Sequence, residues 1–561
     1  NAWDTDGDAY SDGAELFRYR TNPLDPLSFP NYRPMCFDAA RSPGDYDGDG
    51  RTDMGVYDPA MGNWHLLTAD SMTYGFLHGG DSSMLDRARE AFKTGSDPEL
   101  EYYEPIYTAT KEATNSAIFG LAYMNYRYPP GVPVASTQFD EWLCLENPGS
   151  RKARVTIEYF TGEGRKLKQG LEVPPASRST VDVRAAVGAG QDVSARVISS
   201  KPIVAERPMY FDYHGAWKGG HVASGALESS RDWYFAEGCT RAGFEEWITI
   251  ANAGDAAGDV TLTYMMEGGA RRVQKVNAAA GSRTTVNVTA FVGEGHDIST
   301  HVSSTVPVVA ERPMYFDYHG AWDGGHDVLG AAAPAETWYF GEGTTRQNPD
   351  DGSYEEWLCL QNPSRGEAHT RIDFLLDGGG AIRREYALAP MSRTTVDVMR
   401  EVGPNRDVSV VVASDVPIVA ERPMYFATRQ GWDGGDVALG STELSATRHF
   451  AEGCTRAGFQ TWLSIGNPQA EEATVTITYY LASGAARTRR LTVPASGRST
   501  VDVNLDVGPE QDVSCKVTSS APVMVERPMY FDYHASRPGG HDGTGAAAPA
   551  VEWYFAEGCT R

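Results

Sequence analysis

Closely spaced carboxylates near the start of the chain give the clearest chemical signal in the sequence. In the segment DTDGDAYSDGAE the acidic residues are mostly two positions apart, and glycines stand where the chain must turn sharply. Oxygen ligands at this spacing converge on one hard cation, at the distances of about 2.3–2.6 Å that are typical of calcium. We therefore predict calcium as a bound cofactor, with these ligands: Asp4, Asp6, Asp8, Asp12 and Glu15.

A second acidic loop has the same chemistry. Its carboxylates are separated by glycines, and the segments MGVYDP and NWHLL that follow it alternate in the manner of a β-hairpin. A solvated acidic turn is the alternative interpretation of either loop. The predicted calcium ligands of the second loop are Asp45, Asp47, Asp49 and Asp53.

Both loops resemble known calcium motifs. The first, continued through TNPLDP, resembles a thrombospondin type 3 calcium repeat present in a single copy. The second, with its hairpin, is similar to one FG-GAP-type, integrin-propeller-like calcium segment. The resemblances imply a small calcium-binding head, with residues 1–35 as the thrombospondin-like part and residues 36–100 as the FG-GAP-like part.

The rest of the chain is a fourfold repeat. The segment ERPMYF begins at Glu206, Glu311, Glu421 and Glu526, and a tryptophan lies 64 residues before each of them. The predicted repeats span residues 101–222, 223–330, 331–440 and 441–545. Residues 546–561 remain as an orphan opening strand, because the last nine residues, WYFAEGCTR, are identical to residues 233–241, which open the second repeat.

One repeat read in detail predicts the fold. Residues 233–316 divide into short runs of alternating apolar residues, separated by Gly, Asn, Asp and Ser clusters. Seven such runs in about 105 residues are typical of an immunoglobulin-like sandwich. The chain is therefore predicted to be all-β, with tandem seven-stranded immunoglobulin-like β-sandwiches that resemble arrays of bacterial cell-surface proteins. Gly-rich stretches such as residues 215–225 are predicted to connect one sandwich to the next. The runs are residues 233–237, 245–252, 260–266, 271–277, 283–291, 297–304 and 307–316.

Composition limits the function. The 561 residues carry a formal net charge of −26, which disfavours nucleic acid as a partner. No run of 18 apolar residues occurs, so no membrane span is predicted. The Arg-, Ala- and Gly-rich usage fits a high-GC bacterium, and we predict an extracellular location, on the cell surface or secreted.

Recurring polar residues invite a catalytic or metal-binding interpretation. Asp212, His214 and His221 recur in the second and fourth repeats and could bind a transition metal, but the third repeat replaces them with Ala427, Arg429 and Asp436. The recurring Glu-Arg pairs are better explained as ion pairs between domains, since a catalytic group is not needed four times. We therefore expect no enzymatic activity. Among the seven cysteines, Cys454 and Cys515 are the candidate disulfide.

The orphan strand suggests an assembly mechanism. In the first repeat the position of the opening strand holds Tyr128, Pro129 and Pro130, and prolines cannot donate ladder hydrogen bonds. The hypothesis is that the first repeat, marked by these residues and Trp142, accepts a strand from another copy, which would give a head-to-tail homopolymer. Alternatively, residues 118–128 could supply the edge from within the chain. The predicted donor residues are Trp553, Tyr554, Phe555, Ala556 and Glu557.

Three functions remain open at this stage. The first is an extracellular structural protein, a rod of four sandwiches that acts as the calcium-stabilised subunit of a surface filament or stalk. The second is a surface adhesin or glycan-binding array, whose partner would be a host or cell-surface glycan or protein. The third is the non-catalytic tail of a larger secreted hydrolase.

Overall fold

The computed structural model describes residues 137–561, apart from 267–268, 349–351 and 483, together with four short strands nearer the N terminus. These strands are β1 (Pro34–Met35), β2 (Met54–Asp58), β3 (Asn63–Leu67) and β4 (Tyr74–His78), which form an antiparallel sheet in that order. The chain divides into two units, Asn1–Pro133 and Val134–Arg561. All nine predicted calcium ligands lie outside the described residues, as do Tyr128, Pro129, Pro130 and residues 118–128.

The second unit contains the four repeats. The first repeat comprises β5 (Gln138–Asn147), β6 (Ala153–Thr161), β7 (Lys166–Val173), β8 (Ser177–Asp182), α1 (Val183–Val187), β9 (Val193–Tyr213) and β10 (Trp217–Ser224). The second comprises β11 (Ser230–Phe235), β12 (Phe244–Asn252), β13 (Gly258–Met266), β14 (Arg271–Ala278), β15 (Ser282–Asn287), α2 (Val288–Val292), β16 (Ile298–Tyr318) and β17 (Trp322–Leu329).

The third and fourth repeats follow the same order. The third comprises β18 (Ala335–Phe340), β19 (Gln347–Asn348), β20 (Gly352–Asn362), β21 (Ala368–Leu376), β22 (Ala381–Leu388), β23 (Ser392–Asp397), α3 (Val398–Val402), β24 (Val408–Ala427) and β25 (Asp433–Leu439). The fourth comprises β26 (Ser445–Phe450), β27 (Phe459–Asn467), β28 (Ala473–Leu481), β29 (Ala486–Val493), β30 (Gly497–Asp502), α4 (Val503–Val507), β31 (Val513–Glu526), β32 (Met529–Tyr533) and β33 (Arg537–His541). A last strand, β34 (Ala550–Phe555), follows them.

Each repeat is an antiparallel sandwich built around one long strand. In the second repeat the first part of β16 pairs with β13 and β11, and its second part pairs with β12 and β17. The alternation of buried and exposed residues along β13 places one face of that strand in the core. The predicted all-β fold of tandem sandwiches is confirmed. The core of the second repeat includes Trp233, Phe235, Ile248, Val260, Leu262, Val302 and Val309.

The short helices were not predicted from the sequence. They follow β8, β15, β23 and β30, and each is five residues long, which is too short to give a helical periodicity. The Asp182 side chain caps α1 by accepting a hydrogen bond of 3.0 Å from the backbone N–H of Ala185. Gly188 ends this helix with a φ of 88°, a conformation that favours glycine.

The Gly-rich stretch predicted as a connector contains a strand instead. Residues 217–224 form β10, which pairs with the end of β9. Gly219, Gly324, Gly434 and Gly539 occupy equivalent positions in β10, β17, β25 and β33, and an added Cβ at each would lie only 3.2–3.4 Å from the Cα of the next, in a closed cycle. Glycine is therefore required because four backbones approach one another here, and flexibility is not the reason for its presence.

Candidate functional site

The C-terminal strand completes the first repeat of its own chain. β34 pairs with β9 through Ala550 opposite Ile203 and Phe555 opposite Ala195. This register is equivalent to the pairing of β11 with β16, of β18 with β24 and of β26 with β31. The orphan strand thus occupies, in the first repeat, the position that the opening strand holds in each of the other three.

Side chains of this strand fill the core of the first repeat. Trp553 and Phe555 are buried within it, and the indole Nε1–H of Trp553 donates a hydrogen bond of 3.0 Å to the carbonyl of Ile203. The equivalent Trp233 and Trp338 donate to the carbonyls of Val308 and Ile418 at 2.8 and 2.9 Å. The closing contact is therefore built like the interior of the other repeats.

The residues after β34 continue the contact. The backbone N–H of Val193 donates to the carbonyl of Gly558 at 2.9 Å, and the N–H of Phe139 donates to the carbonyl of Arg561 at 2.8 Å. A Cβ at Gly558 would lie 2.5 Å from the carbonyl oxygen of Val193, so no larger residue fits there. All nine residues of WYFAEGCTR thus lie along the first repeat, from β34 to the end of the chain.

This arrangement corrects the expected rod. The predicted donor strand and the first repeat do meet, and here they meet within one chain, whereas the contact between copies stays a hypothesis. Trp142 is not at the acceptor edge: it lies on β5 and pairs with Asp182 of β8 in the other sheet. The physical reason for the closure is that each repeat packs against the next until the fourth meets the first.

The ERPMYF segments form one closed cycle of buried ion pairs. Each arginine donates from Nη1 to the glutamate of the next segment, and the fourth arginine donates to the first glutamate. These side chains are at most 2% exposed. The Nη1–Oε2 distances are 2.8 Å for Arg207–Glu311, 2.8 Å for Arg312–Glu421, 2.9 Å for Arg422–Glu526 and 2.8 Å for Arg527–Glu206.

The aromatic residues of the same segments form a parallel cycle. Each phenylalanine meets the tyrosine of the next segment edge to face, a favourable geometry for aromatic rings. The recurrence of ERPMYF is therefore explained by contacts between repeats. The ring centroids are 5.1 Å apart for Phe211–Tyr315, 5.1 Å for Phe316–Tyr425, 5.0 Å for Phe426–Tyr530 and 5.1 Å for Phe531–Tyr210.

A second cycle of ion pairs joins the opening strands to the following repeats. The glutamate of each EGCTR or EGTTR segment accepts from an arginine of the next repeat, at the start of the strand that precedes the short helix. Sequence reasoning missed these arginines, although the recurring segment SRSTVD, SRTTVN, SRTTVD and GRSTVD could have identified them. The pairs are Arg178–Glu452, Arg283–Glu557, Arg393–Glu237 and Arg498–Glu342.

The electrostatics of these pairs fit a structural role. Burial by itself lowers the pKa of Arg312, but Glu421 and the neighbouring carboxylates outweigh it and hold that pKa above its ordinary value. Burial likewise lowers the pKa of Arg393, but Cys359 and Glu237 outweigh it and hold that pKa well above the ordinary range. Both guanidinium groups thus stay charged, and the interpretation of the Glu-Arg residues of the ERPMYF segments as buried ion pairs between domains is confirmed.

The six cysteines of the described residues are buried thiols within this framework. The Cys144 thiol donates to a carboxylate oxygen of Glu452 at 2.7 Å, and burial raises its pKa well above the usual range. The predicted disulfide between Cys454 and Cys515 is wrong, because both are free thiols. Cys454 lies opposite Asp512, three residues from Cys515, which is about 10 Å along a strand and beyond the reach of a disulfide.

The histidines do not form the metal site considered from the sequence. His221, His326 and His541 are buried, and burial lowers the pKa of each. His214 is instead partly exposed, and its ring lies beside that of Tyr213, with centroids 4.0 Å apart and ring planes tilted by 59°. Within the described part of the chain, no group of three or more His, Cys, Asp or Glu side chains is placed to hold a metal ion.

Three repeats also contain a buried carboxyl that is neutral at pH 7. Burial raises the pKa of Glu141, Glu246 and Glu356 to about 8, and Arg207, Arg312 and Arg422 respectively oppose this only in part. Each has at least one carboxyl oxygen without a hydrogen-bond partner among the described residues. The fourth repeat carries Thr461 at this position, where its hydroxyl accepts from the N–H of Cys454 and donates to its carbonyl.

These carboxyls predict a loss of stability as the pH rises. Because the folded-state pKa lies above the unfolded value, their contribution is complete below about pH 4.5 and is lost as the pH rises through about 8. From pH 7 to 9 the loss is about 1.4 kcal/mol for each group. The buried histidines have lowered pKa values and act in the opposite direction, below about pH 6.5, so they do not affect this window.

The variant Glu246→Thr tests this prediction, since it introduces the residue that the fourth repeat already holds. Its thermal unfolding midpoint should fall less between pH 7 and pH 9 than that of the unaltered protein. The control Thr263→Ser, on a strand of the same repeat, should leave the pH dependence unchanged. An identical pH dependence in Glu246→Thr and the unaltered protein would show that Glu246 is already ionised at pH 7.

Comparisons with known proteins add little. No protein-family model and no curated protein matches the sequence. The crystal structure of Thermotoga maritima 1070 is 20% identical, with a TM-score of 0.17, over 18% of this chain and 94% of that chain. The tetra-tandem repeat in the extending region of a large adhesion protein is 12% identical, with a TM-score of 0.10, over 72% of this chain and 93% of that one. A variant of the major pilin from Streptococcus pyogenes is 7% identical, with a TM-score of 0.11, over 54% of this chain and 97% of that one. These similarities are too low to carry a conclusion about function.

Among the helices of the described residues, none is both long and apolar enough to cross a bilayer.

Proposed function

We propose that this protein is a non-enzymatic structural protein of the bacterial cell surface, in which four sandwich repeats close on themselves into one rigid scaffold. The closing contact of β34 with the first repeat is the observation that carries this proposal. The recurring charged residues support it as well, because they are buried in pairs between repeats, where no substrate reaches them. A closed scaffold keeps its surface loops in fixed relative positions, as an adhesive or load-bearing surface protein requires.

A second candidate is the head-to-tail filament. An edge that accepts this strand within one chain also accepts it from another copy, as in domain swapping. The two candidates predict a different dependence of particle mass on protein concentration. A strand held within its own chain has a high effective concentration and gives a monomer, whereas exchange gives assemblies that grow with protein concentration.

Light scattering and electron microscopy of the full chain with calcium, over a hundredfold range of concentration, test the two candidates. We expect the mass of one chain throughout and compact particles. Fibres formed by the full chain, and absent from a variant that lacks residues 553–561, would favour the filament and overturn the closed monomer. The tail of a larger hydrolase remains a further alternative, which the mass of the native protein tests.

Calcium is proposed as the cofactor of the N-terminal acidic loops, on the basis of their ligand spacing. Calcium titration of the full chain should show binding sites in both loops. The variant Asp4→Asn/Asp6→Asn/Asp8→Asn should lose calcium binding at the first loop, and Asp45→Asn/Asp47→Asn/Asp49→Asn should lose it at the second. At a calcium concentration of about 100 times Kd, binding stabilises the folded form of a single site by about 2.7 kcal/mol. Chelation should therefore increase proteolysis within residues 1–100 and leave the unfolding midpoint of the repeats unchanged. Equal calcium binding by the variants and the unaltered protein would contradict this assignment.

A further inference from the structure

One of the four contacts between repeats differs from the other three. Tyr213 stacks on Tyr315, and Tyr318 stacks on Tyr425, each with ring centroids 3.8 Å apart. At the junction of the fourth and first repeats, Tyr533 stacks on Tyr210 at 3.9 Å. At the junction of the third and fourth repeats the stacking residue is replaced by Thr428.

A second replacement accompanies the first. The hydroxyl of Tyr213 donates to Glu245 at 2.7 Å, and that of Tyr318 donates to Glu355 at 2.6 Å. The corresponding position in the fourth repeat is Gln460. The tyrosine and its carboxylate partner are thus both absent from this junction.

A cavity of about 310 Å³ takes their place. Its lining includes the aromatic side chains of Tyr354, Trp462 and Tyr530, with Thr428 where the missing ring would be. Tyr354 and Tyr530 meet edge to face, with centroids 6.1 Å apart. This volume lies at the lower end of the range for small-molecule sites, which are typically lined by aromatic groups and a few polar ones.

The polar side chains of the lining leave one positive charge unpaired. Arg346 pairs with Asp407, and Arg498 pairs with Glu342. Arg429 is exposed at the cavity and has no oppositely charged partner among the described residues.

Two amides complete the lining. The side chains of Gln430 and Gln460 also reach the cavity, and neither has a hydrogen-bond partner within the described part of the chain. An amide both donates and accepts, as a sugar hydroxyl does, and a guanidinium fork matches a carboxylate. Aromatic side chains supply the apolar surface against which a ring can pack.

We propose that the cavity between the third and fourth repeats binds a carboxylate-bearing monosaccharide unit, such as a uronic acid of a surface glycan. The aromatic side chains pack against the sugar ring, Gln430 and Gln460 bind its hydroxyls, and Arg429 binds its carboxylate. A nucleobase is a poorer fit, because Tyr354 and Tyr530 meet edge to face and do not form a parallel clamp. This inference goes beyond the proposed scaffold function and does not depend on it.

Saturation-transfer NMR of the full chain with sodium D-glucuronate, and separately with D-glucose, tests the proposal. We expect saturable binding of glucuronate and at least tenfold weaker binding of glucose. Thr428→Tyr restores the residue of the other three repeats, fills the cavity and should abolish binding, while its unfolding midpoint stays equal or rises. Arg429→His, again the residue of the other repeats, should weaken glucuronate binding at least tenfold and leave glucose binding unchanged.

The control is Arg365→His, at an exposed arginine of the same repeat that does not line the cavity; it should leave binding unchanged. Glucuronate binding that persists in a folded Thr428→Tyr variant would place the ligand elsewhere and overturn the site. Equal binding of glucose and glucuronate would overturn the acidic ligand class, and binding of neither sugar would overturn the proposal as a whole.

Discussion

Removal of residues 553–561 is expected to lower the free energy of unfolding of the first repeat by more than about 5 kcal/mol. The deletion removes Trp553 and Phe555 from its core, and truncation of a single buried aromatic residue already costs about 3–5 kcal/mol. It also leaves the edge of β9 without its partner strand. Urea unfolding should then show an early transition, with greater proteolysis and dye binding at the first repeat.

A rescue variant makes this prediction specific. Residues 128–136 (YPPGVPVAS) occupy the sequence positions that correspond to residues 233–241. Replacing them with WYFAEGCTR in the truncated chain should restore most of the lost stability, because the strand then enters from the N-terminal side. A truncation that leaves the unfolding curve unchanged would show that the closing strand contributes nothing to the fold.

The second large effect is expected for Arg312→Met. This substitution leaves the carboxylate of Glu421 buried without its ionic partner, and breaking a buried pair from one side costs about 3–5 kcal/mol. The arginine also bonds to the backbone carbonyl of Glu237, which the methionine cannot replace. Urea unfolding monitored by tryptophan fluorescence should show the loss.

Two comparisons isolate the buried charge as the cause. Arg312→Met/Glu421→Gln should recover most of the loss, because no unpaired charge remains in the interface. Arg241→Met breaks an ion pair with Asp297 whose arginine side chain is 58% exposed, and it should cost less than about 1 kcal/mol. Similar losses for Arg241→Met and Arg312→Met would contradict the importance of the buried cycle.

Local sequence patterns predicted much of each repeat. The alternation along residues 260–266 identified β13, and the turn clusters marked its ends to within two residues. The two predicted runs 297–304 and 307–316 proved to be one strand, β16, because the chain stays extended as it passes from one sheet to the other. Gly-Gly pairs in a sequence are typical of flexible connectors, and their role where strands approach closely appears only once the neighbouring repeats are present.

The candidate site, like the fold, was predicted only in part from the sequence. Residues 553–557 were identified as a displaced opening strand, since the match with residues 233–237 is identical. The sequence did not predict that the strand remains in its own chain. Nor did it predict the partners of Arg178 and Arg393, because each partner lies in a different repeat. The cavity beside Thr428 likewise depends on which tyrosine of the neighbouring repeat faces it.

The all-β class, the number of repeats and the presence of one strand without a repeat of its own could thus be predicted from the sequence alone. These features follow from periodicity and recurrence, which are properties of neighbouring residues along the chain. The closure of the repeats into a cycle and the pairing of the charged groups, by contrast, become visible only in the folded chain. The angle between consecutive repeats depends on contacts about 105 residues apart, among the ERPMYF segments and the glycines of β10, β17, β25 and β33, and no local pattern encodes that angle.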